Sequence, residues 1–197
     1  MTNRLPAALQ ADLARFMKRL PRGELWVFGY GSLMWSPDFR YAERRAGQLH
    51  GYHRSLCIYS HSYRGTPEKP GLVMGLCPGG SCWGVAFRIE RARVDRTMET
   101  LWHREMPNQV YEPRFVRVRL GRRTVQAITF VADRRHGQFA GRLTALQTAR
   151  MVAQGCGVRG LNLDYLANTV SHMDQLGVRE GHLHDVLSRA RKLCRQA

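Results

Sequence analysis

The sequence predicts an α+β fold with a mixed or barrel-like sheet, and three observations carry that reading. Strand-like apolar runs fall mostly early in the chain, helical spacing dominates its later part, and no repeat, low-complexity tract or long linker separates the two. The 197 residues, 44% hydrophobic and 23% charged, suffice for one domain with its own core, which excludes global disorder.

The elements follow in order. Leu9, Leu13, Phe16, Met17 and Leu20 recur at helical spacing, so an amphipathic helix is expected over 7–20, stopped by Pro21 and Gly23. Residues 1–23 are read as an N-terminal helical extension covering a domain over 24–197. Leu25-Trp26-Val27-Phe28 reads as a buried strand that breaks at Gly29-Tyr30-Gly31-Ser32, and a strand running into a glycine-rich turn suggests a ligand loop. Further strands are expected over 49–59, 72–77, 82–89, 114–120 and 124–131, with Arg64-Gly65-Thr66-Pro67 and Pro78-Gly79-Gly80 as breaks. Helical spacing returns over 91–105, 140–154, 161–176 and 182–195.

Composition narrows the function classes. No stretch approaches the roughly 18–20 consecutive apolar residues of a bilayer span, and Asp12, Arg15, Lys18 and Arg19 interrupt the N-terminal apolar positions, so neither a membrane span nor a secretory signal is expected. Five cysteines without a Cys-x-x-Cys pair suggest neither a disulfide framework nor a zinc ribbon, and reduced thiols in the cytoplasm are expected. Thirty-one Lys plus Arg against fifteen Asp plus Glu give +16, a field that attracts small anions, anionic membrane or nucleic acid. The arginines are scattered from Arg4 to Arg195 rather than gathered in one run, so a solvated basic surface is the expectation and nucleic acid is not.

Two features have catalytic character. Gly29-Tyr30-Gly31-Ser32-Leu33-Met34 opens like a dinucleotide fingerprint, but Met34 stands at the third glycine position and no βαβ unit follows. Tyr30 and Met34 likewise exclude a nucleophile elbow around Ser32. What remains is a turn whose glycines let backbone N–H groups converge on a carboxylate or oxyanion, or else an ordinary strand-terminating turn. The second feature is Glu105. On the 91–105 helix the apolar stripe runs through Val94, Met98, Leu101 and Trp102, and steps of about 100° per residue put Glu105 on that stripe. Pro107 biases Met106 away from the helix, placing Glu105 in the last turn, where burial and the helix dipole both raise a carboxyl pKa toward the range of a general acid/base. The alternative is a frayed end where Glu105 simply pairs with Arg104 or another arginine. His50-x-x-His53 and His182-x-His184 lack neighbouring ligands at metal spacing, and no metal is expected.

Together these segments resemble the ChaC family of glutathione-specific γ-glutamylcyclotransferases. The pattern is carried by Val27-Phe28-Gly29-Tyr30-Gly31-Ser32-Leu33-Met34-Trp35, Gly51-Tyr52-His53-Arg54, Arg64-Gly65-Thr66-Pro67 with Pro70-Gly71, and Gly84-Val85-Ala86-Phe87-Arg88. It continues through Arg104-Glu105-Met106 with Tyr111 and Pro113, and Asp164-Tyr165-Leu166-Ala167-Asn168-Thr169, leaving out about the first 20 residues.

The resemblance implies a small, mostly antiparallel β-barrel with flanking helices. It also implies a reaction without water or cofactor, in which the α-amine of the γ-glutamyl unit attacks its own γ-carbonyl and glutathione gives 5-oxoproline and cysteinylglycine. By match to the family motif Glu105 is the catalytic acid/base, and Tyr30, Gly31, Ser32 and Leu33 form the substrate loop. Arg64 and Tyr111 are carried over as binders of a substrate carboxylate or as pocket wall, against the alternatives of a surface salt bridge and a core tyrosine. Two other readings stay open: a cyclotransferase for another γ-glutamyl amino acid or amine, and a basic nucleic-acid-binding module.

Overall fold

The computed structural model describes residues 5–21 and 23–196; those parts of the expected 1–23 extension and 24–197 domain that fall on residues 1–4, 22 and 197 lie outside the described residues. Helix α1 (Ala7–Met17) is followed by β1 (Leu25–Gly29), β2 (Glu43–Ser60), β3 (Gly71–Ile89), α2 (Val94–Glu105), β4 (Tyr111–Leu120) and β5 (Arg123–Ala132). The rest of the chain is mainly helical, with α3 (Ala145–Gln154), the short strands β6 (Cys156–Gly157) and β7 (Gly160–Leu161), α4 (Asn162–Gln175) and α5 (Gly181–Gln196). No described helix is long and apolar enough to cross a membrane.

Strands β1 to β5 close into a barrel in the order β1-β3-β2-β4-β5. The pairings β1–β3, β2–β3, β2–β4 and β4–β5 are antiparallel, and β1 meets β5 in parallel through Trp26↔Ala127 and Val27↔Ile128. β1 is buried on both faces, which is why it reads as a continuous apolar run. Trp26 and Phe28 join a core shared with α3, α4 and α5, whereas Val27 packs with residues of α1 and α2.

Several boundaries correct the expectations from sequence. The two strands foreseen over 72–77 and 82–89 are one strand, β3, which runs through Pro78-Gly79-Gly80 without reversing. β2 keeps pairing on both sides, Tyr52 to Pro78 and His50 to Ser81, with a register shift between. Gly79 and Gly80, at φ +96° and +71°, absorb the irregularity as a bulge, a place where proline costs no ladder hydrogen bond. The chain instead reverses after Ser60, over Arg64-Gly65-Thr66-Pro67. α3 starts at Ala145 rather than near 140, because a Thr144–Gln147 capping box fixes its first turn. The β6–β7 hairpin was not foreseen; its strands are two residues each, below what periodicity resolves.

Candidate active site

A cavity of about 440 Å³ opens where the end of β1, the end of α2 and the β2–β3 turn converge. That size falls within the roughly 300–1,000 Å³ typical of small-ligand clefts. Among its lining residues are Tyr30, Gly31, Ser32, Leu33, Arg64, Glu105 and Tyr111, so all the site residues expected from sequence come together around one space.

The loop after β1 turns through a single 3-10 turn over Ser32–Met34. Its first internal backbone bond is Met34 N–H to the Gly31 carbonyl, 2.9 Å, so the N–H groups of Ser32 and Leu33 precede the bonded part of the turn, as the leading donors of any helical turn do. The glycines serve close approach rather than unusual dihedrals. Gly31 has φ −126°, and a Cβ there would stand 3.2 Å from the Tyr165 hydroxyl and 3.3 Å from Met74 Cβ. A Cβ on Gly29 would stand 2.7 Å from Leu33 Cβ.

Glu105 is the last residue of α2, with a side chain 16% exposed. Helical phase brings it here from the stripe of Met98, Leu101 and Trp102, each buried in the core shared with α1. Met106 does leave the helix, although at φ −103° and ψ −2° it occupies the bridge region rather than the extended conformation expected before Pro107. Burial raises the Glu105 carboxyl above the ordinary carboxylate range; the Arg104 guanidinium opposes this, and Asp38 reinforces it. The end of α2 is not frayed: the helix continues through Glu105, and Met106 is its C-cap. Glu105 pairs with Arg104, Nε to Oε1 3.1 Å, and it also faces the cavity.

Arg104 was not among the site residues expected from sequence, yet it ties the site together. Its guanidinium donates to Ser32 Oγ at 2.8 Å and to the Ser36 carbonyl, and pairs with Asp38 at 2.5 Å. Arg54 holds the same loop from the core side. Its side chain is fully buried on β2 and donates to the Tyr30 carbonyl at 2.5 Å, to the Trp83 carbonyl, and to Glu180 at 2.5 Å. Burying an arginine this deeply is tolerable because the guanidinium has both an anionic partner and carbonyl acceptors.

Three tyrosines line the floor and lower walls of the cavity. The Tyr30 hydroxyl donates to the Phe130 carbonyl at 2.7 Å, the Tyr111 hydroxyl donates to the Met74 carbonyl at 2.8 Å, and Tyr165 accepts from Met74 N–H at 3.1 Å. Burial pushes the Tyr30 and Tyr111 hydroxyls well above their usual range and Tyr165 up to about 12, so all three stay protonated. Tyr165 also was not singled out. It is placed by Asn162 in the first turn of α4, whose amide bonds both the N–H and the carbonyl of Leu72 on β3, at 2.6 and 2.7 Å. Arg64 lies at the cavity mouth with its guanidinium 5.4 Å from the Tyr165 ring centre. It donates to the Arg159 and Leu161 carbonyls of the β6–β7 hairpin, and among the described residues it has no carboxylate within salt-bridge distance.

The arrangement joins one protonatable carboxyl, leading backbone donors and a cation at the mouth. It suits a reaction that moves a proton near an acyl group while an oxyanion forms.

Comparison with known proteins agrees with this geometry. A family model described as "ChaC-like protein" matches residues 25–193. A glutathione-specific γ-glutamylcyclotransferase of Escherichia coli K12 is 36% identical over 188 residues, covering 95% of this chain and 80% of that protein. Glutathione-specific γ-glutamylcyclotransferase 1 of Danio rerio is 31% identical over 157 residues, 77% of this chain and 80% of the relative. Among solved structures, a yeast γ-glutamyl cyclotransferase specific to glutathione superimposes with a TM-score of 0.83 at 23% identity, covering 89% of this chain and 99% of the other.

Proposed function

This chain belongs to the ChaC-like family, and from that premise we propose that it is a glutathione-specific γ-glutamylcyclotransferase that converts glutathione to 5-oxoproline and cysteinylglycine. The observation that carries the reading is Glu105: a largely buried carboxyl facing the cavity with a raised pKa, 3.1 Å from an arginine that also bonds the loop facing it.

The mechanism follows from the substrate. The amine and the carbonyl it attacks belong to one γ-glutamyl unit, so five-membered ring closure supplies proximity by itself. The amine is protonated near neutral pH and must first lose a proton, which Glu105 accepts. Attack on the γ-carbonyl forms a tetrahedral oxyanion, for which the N–H groups at Ser32 and Leu33 are the donors. As the γ-amide C–N bond breaks, Glu105 returns the proton to the departing cysteinyl nitrogen, and the second proton shed by the ring nitrogen passes to the released amine, so that cysteinylglycine leaves as an ammonium with no net proton change. One carboxyl serves both transfers, and no water is consumed. Arg64 is the binder of a substrate carboxylate at the mouth, and Tyr30 and Tyr111 are walls that orient the γ-glutamyl unit.

The reading includes a cytoplasmic setting, where the thiol substrate is kept reduced. The basic surface is assigned to solvation rather than nucleic acid. Many of its arginines pair with neighbouring carboxylates, as Arg45 and Arg88 do with Glu43 and Arg189 with Asp185.

Mass analysis of products after incubation with glutathione tests the proposal. Equal amounts of 5-oxoproline and cysteinylglycine are expected. Free glutamate would mark a hydrolase, and turnover of other γ-glutamyl amino acids or amines but not glutathione would reassign the substrate.

A further inference from the structure

The cysteines of the barrel wall supply a chemistry that ring closure does not use. Cys57 and Cys77 lie on the paired strands β2 and β3 with their Sγ atoms 3.6 Å apart. The local backbone explains the approach. Leu56 pairs with Met74 and Ile58 with Val73, so Cys57 falls at a register shift without a partner across the ladder. The sulfur instead reaches along the face to Gly75, the partner of Ser55, where a Cβ would stand 2.7 Å from Cys57 Sγ. The missing side chain leaves the space that the sulfur fills, and Cys77, two residues along β3, points to the same face as Gly75.

The two thiols differ in the way an attacking and a resolving cysteine differ. Cys57 is 1% exposed, whereas Cys77 is half-buried and open to solvent on one side. The hydrogen bond between the two sulfurs brings the Cys77 thiol down to about 7, with His53 and Arg134 contributing positive charge, while the same interaction and burial hold Cys57 as the neutral thiol. A thiolate with access, next to a protonated thiol without it, is the arrangement of redox-responsive pairs.

We propose that Cys57 and Cys77 form a reversible disulfide by exchange with a low-molecular-weight disulfide. The Cys77 thiolate attacks one sulfur of the small disulfide, whose S–S bond breaks and releases one thiolate. Cys57 then gives its proton to a leaving sulfur and attacks Cys77 Sγ, expelling the second small thiol. Two protein thiols are oxidised and one small disulfide is reduced to two thiols. The sulfurs must close from 3.6 Å to about 2.05 Å, which requires the backbone at the Cys57 register shift to move toward Cys77, the partner of His53. This inference is independent of the cyclotransferase reaction. Of the other cysteines, Cys82 is buried and its thiol pushed up to about 11, and Cys156 and Cys194 are exposed, so the latter two are the competitors for modification.

The test is peptide mapping of the full chain after incubation with glutathione disulfide, quenched with an alkylating reagent. The expected product is a Cys57–Cys77 crosslink that dithiothreitol reverses. Cys57→Ser should trap one glutathione on Cys77, and Cys77→Ser should leave Cys57 unmodified. Bis(2-hydroxyethyl) disulfide, which carries no charge and no γ-glutamyl group, should give the same crosslink, and thermal melting checks that each variant is folded. Mixed disulfides only on Cys156 and Cys194, with Cys57 and Cys77 both recovered as alkylated thiols, would overturn the proposal. Modification of Cys57 in folded Cys77→Ser protein would overturn the assignment of roles.

Discussion

The floor and the rim of the cavity are built on different principles. At the floor, Tyr30, Tyr111 and Tyr165 each bond a backbone group, and the loop after β1 is gripped by Arg54 from the core and Arg104 from the helix end. At the rim, Tyr63 is 42% exposed and Val158 81%, and the β6–β7 hairpin hangs on backbone bonds from Val158 and Arg159 to Ser62 and Tyr63. A proton transfer tolerates little misplacement, so rigidity belongs where bonds change. Recognition of the rest of a small substrate tolerates more. Substitutions at the floor should therefore act on kcat, and those at the rim on KM.

The largest expected effect is that of Glu105→Gln, which keeps shape and polarity but cannot accept the ammonium proton. A loss of about 10²-fold or more in kcat is expected, the usual size of a general acid/base contribution. The fold should survive. Because the folded carboxyl keeps its proton to a higher pH than the unfolded one, ionisation removes stability as pH rises from the ordinary carboxylate range through the folded pKa. At neutral pH the variant should thus melt no lower than the parent, and slightly higher. Near-parental turnover in folded Glu105→Gln protein would remove Glu105 from the mechanism and erase the distinction between floor and rim.

Next comes Arg54→Met, which leaves Glu180 and the Tyr30 carbonyl without their cation. A cost toward the lower end of the roughly 3–5 kcal/mol seen for broken buried pairs is expected, because Glu180 is 26% exposed and finds water. Turnover should fall as the loop loosens, while Arg54→Lys, which keeps the charge but not the fork, should recover part of both. Urea titration alongside kcat would expose a merely structural arginine: stability lost, kcat per folded molecule kept.

Asp38→Asn sharpens the electrostatics of the floor. Asp38 raises the Glu105 pKa, so its neutralisation should move the acid limb of the kcat profile to lower pH. An upward shift would mean that Asp38 acts mainly by restraining Arg104. At the rim, Arg64→Gln should raise KM roughly three- to tenfold with kcat nearly unchanged, the scale of one partly screened charge contact. A collapse of kcat there would instead assign Arg64 to the floor. The smallest effect is expected from added salt, a modest rise in KM, since fields from a dispersed surface are screened beyond about 8 Å at physiological ionic strength.

Which of these residues the sequence revealed depended on how local their reasons are. Glu105 was legible because helical phase alone puts it on the stripe of Met98, Leu101 and Trp102. The loop was legible because glycines flank a tyrosine at the end of an apolar strand. Arg54 was part of the family pattern but given no site role, although it stands two residues before the buried Leu56 on β2 and so faces the same side. Asn162 left no such trace, since the strand backbone it binds lies 90 residues away in the chain. Pro78-Gly79-Gly80 misled in the opposite sense: turn residues mark a reversal or a bulge equally well, and only the partner strand decides.

The parallel seam of the barrel also governs when the loop after β1 can take its place. β1 is the first strand made and β5 the last of the five, yet they are neighbours, and Tyr30 is seated on Phe130, 100 residues later. Thr129 likewise bonds the Phe28 carbonyl at 3.0 Å, across 101 residues. Loop-closure entropy must be overcome across that whole span before either bond forms, so folding is expected to be governed by nonlocal contacts and to be slow for the chain's size. During synthesis, β1 and the loop behind it emerge early and must wait, apolar and unpaired, until the strand that completes their seat has left the ribosome.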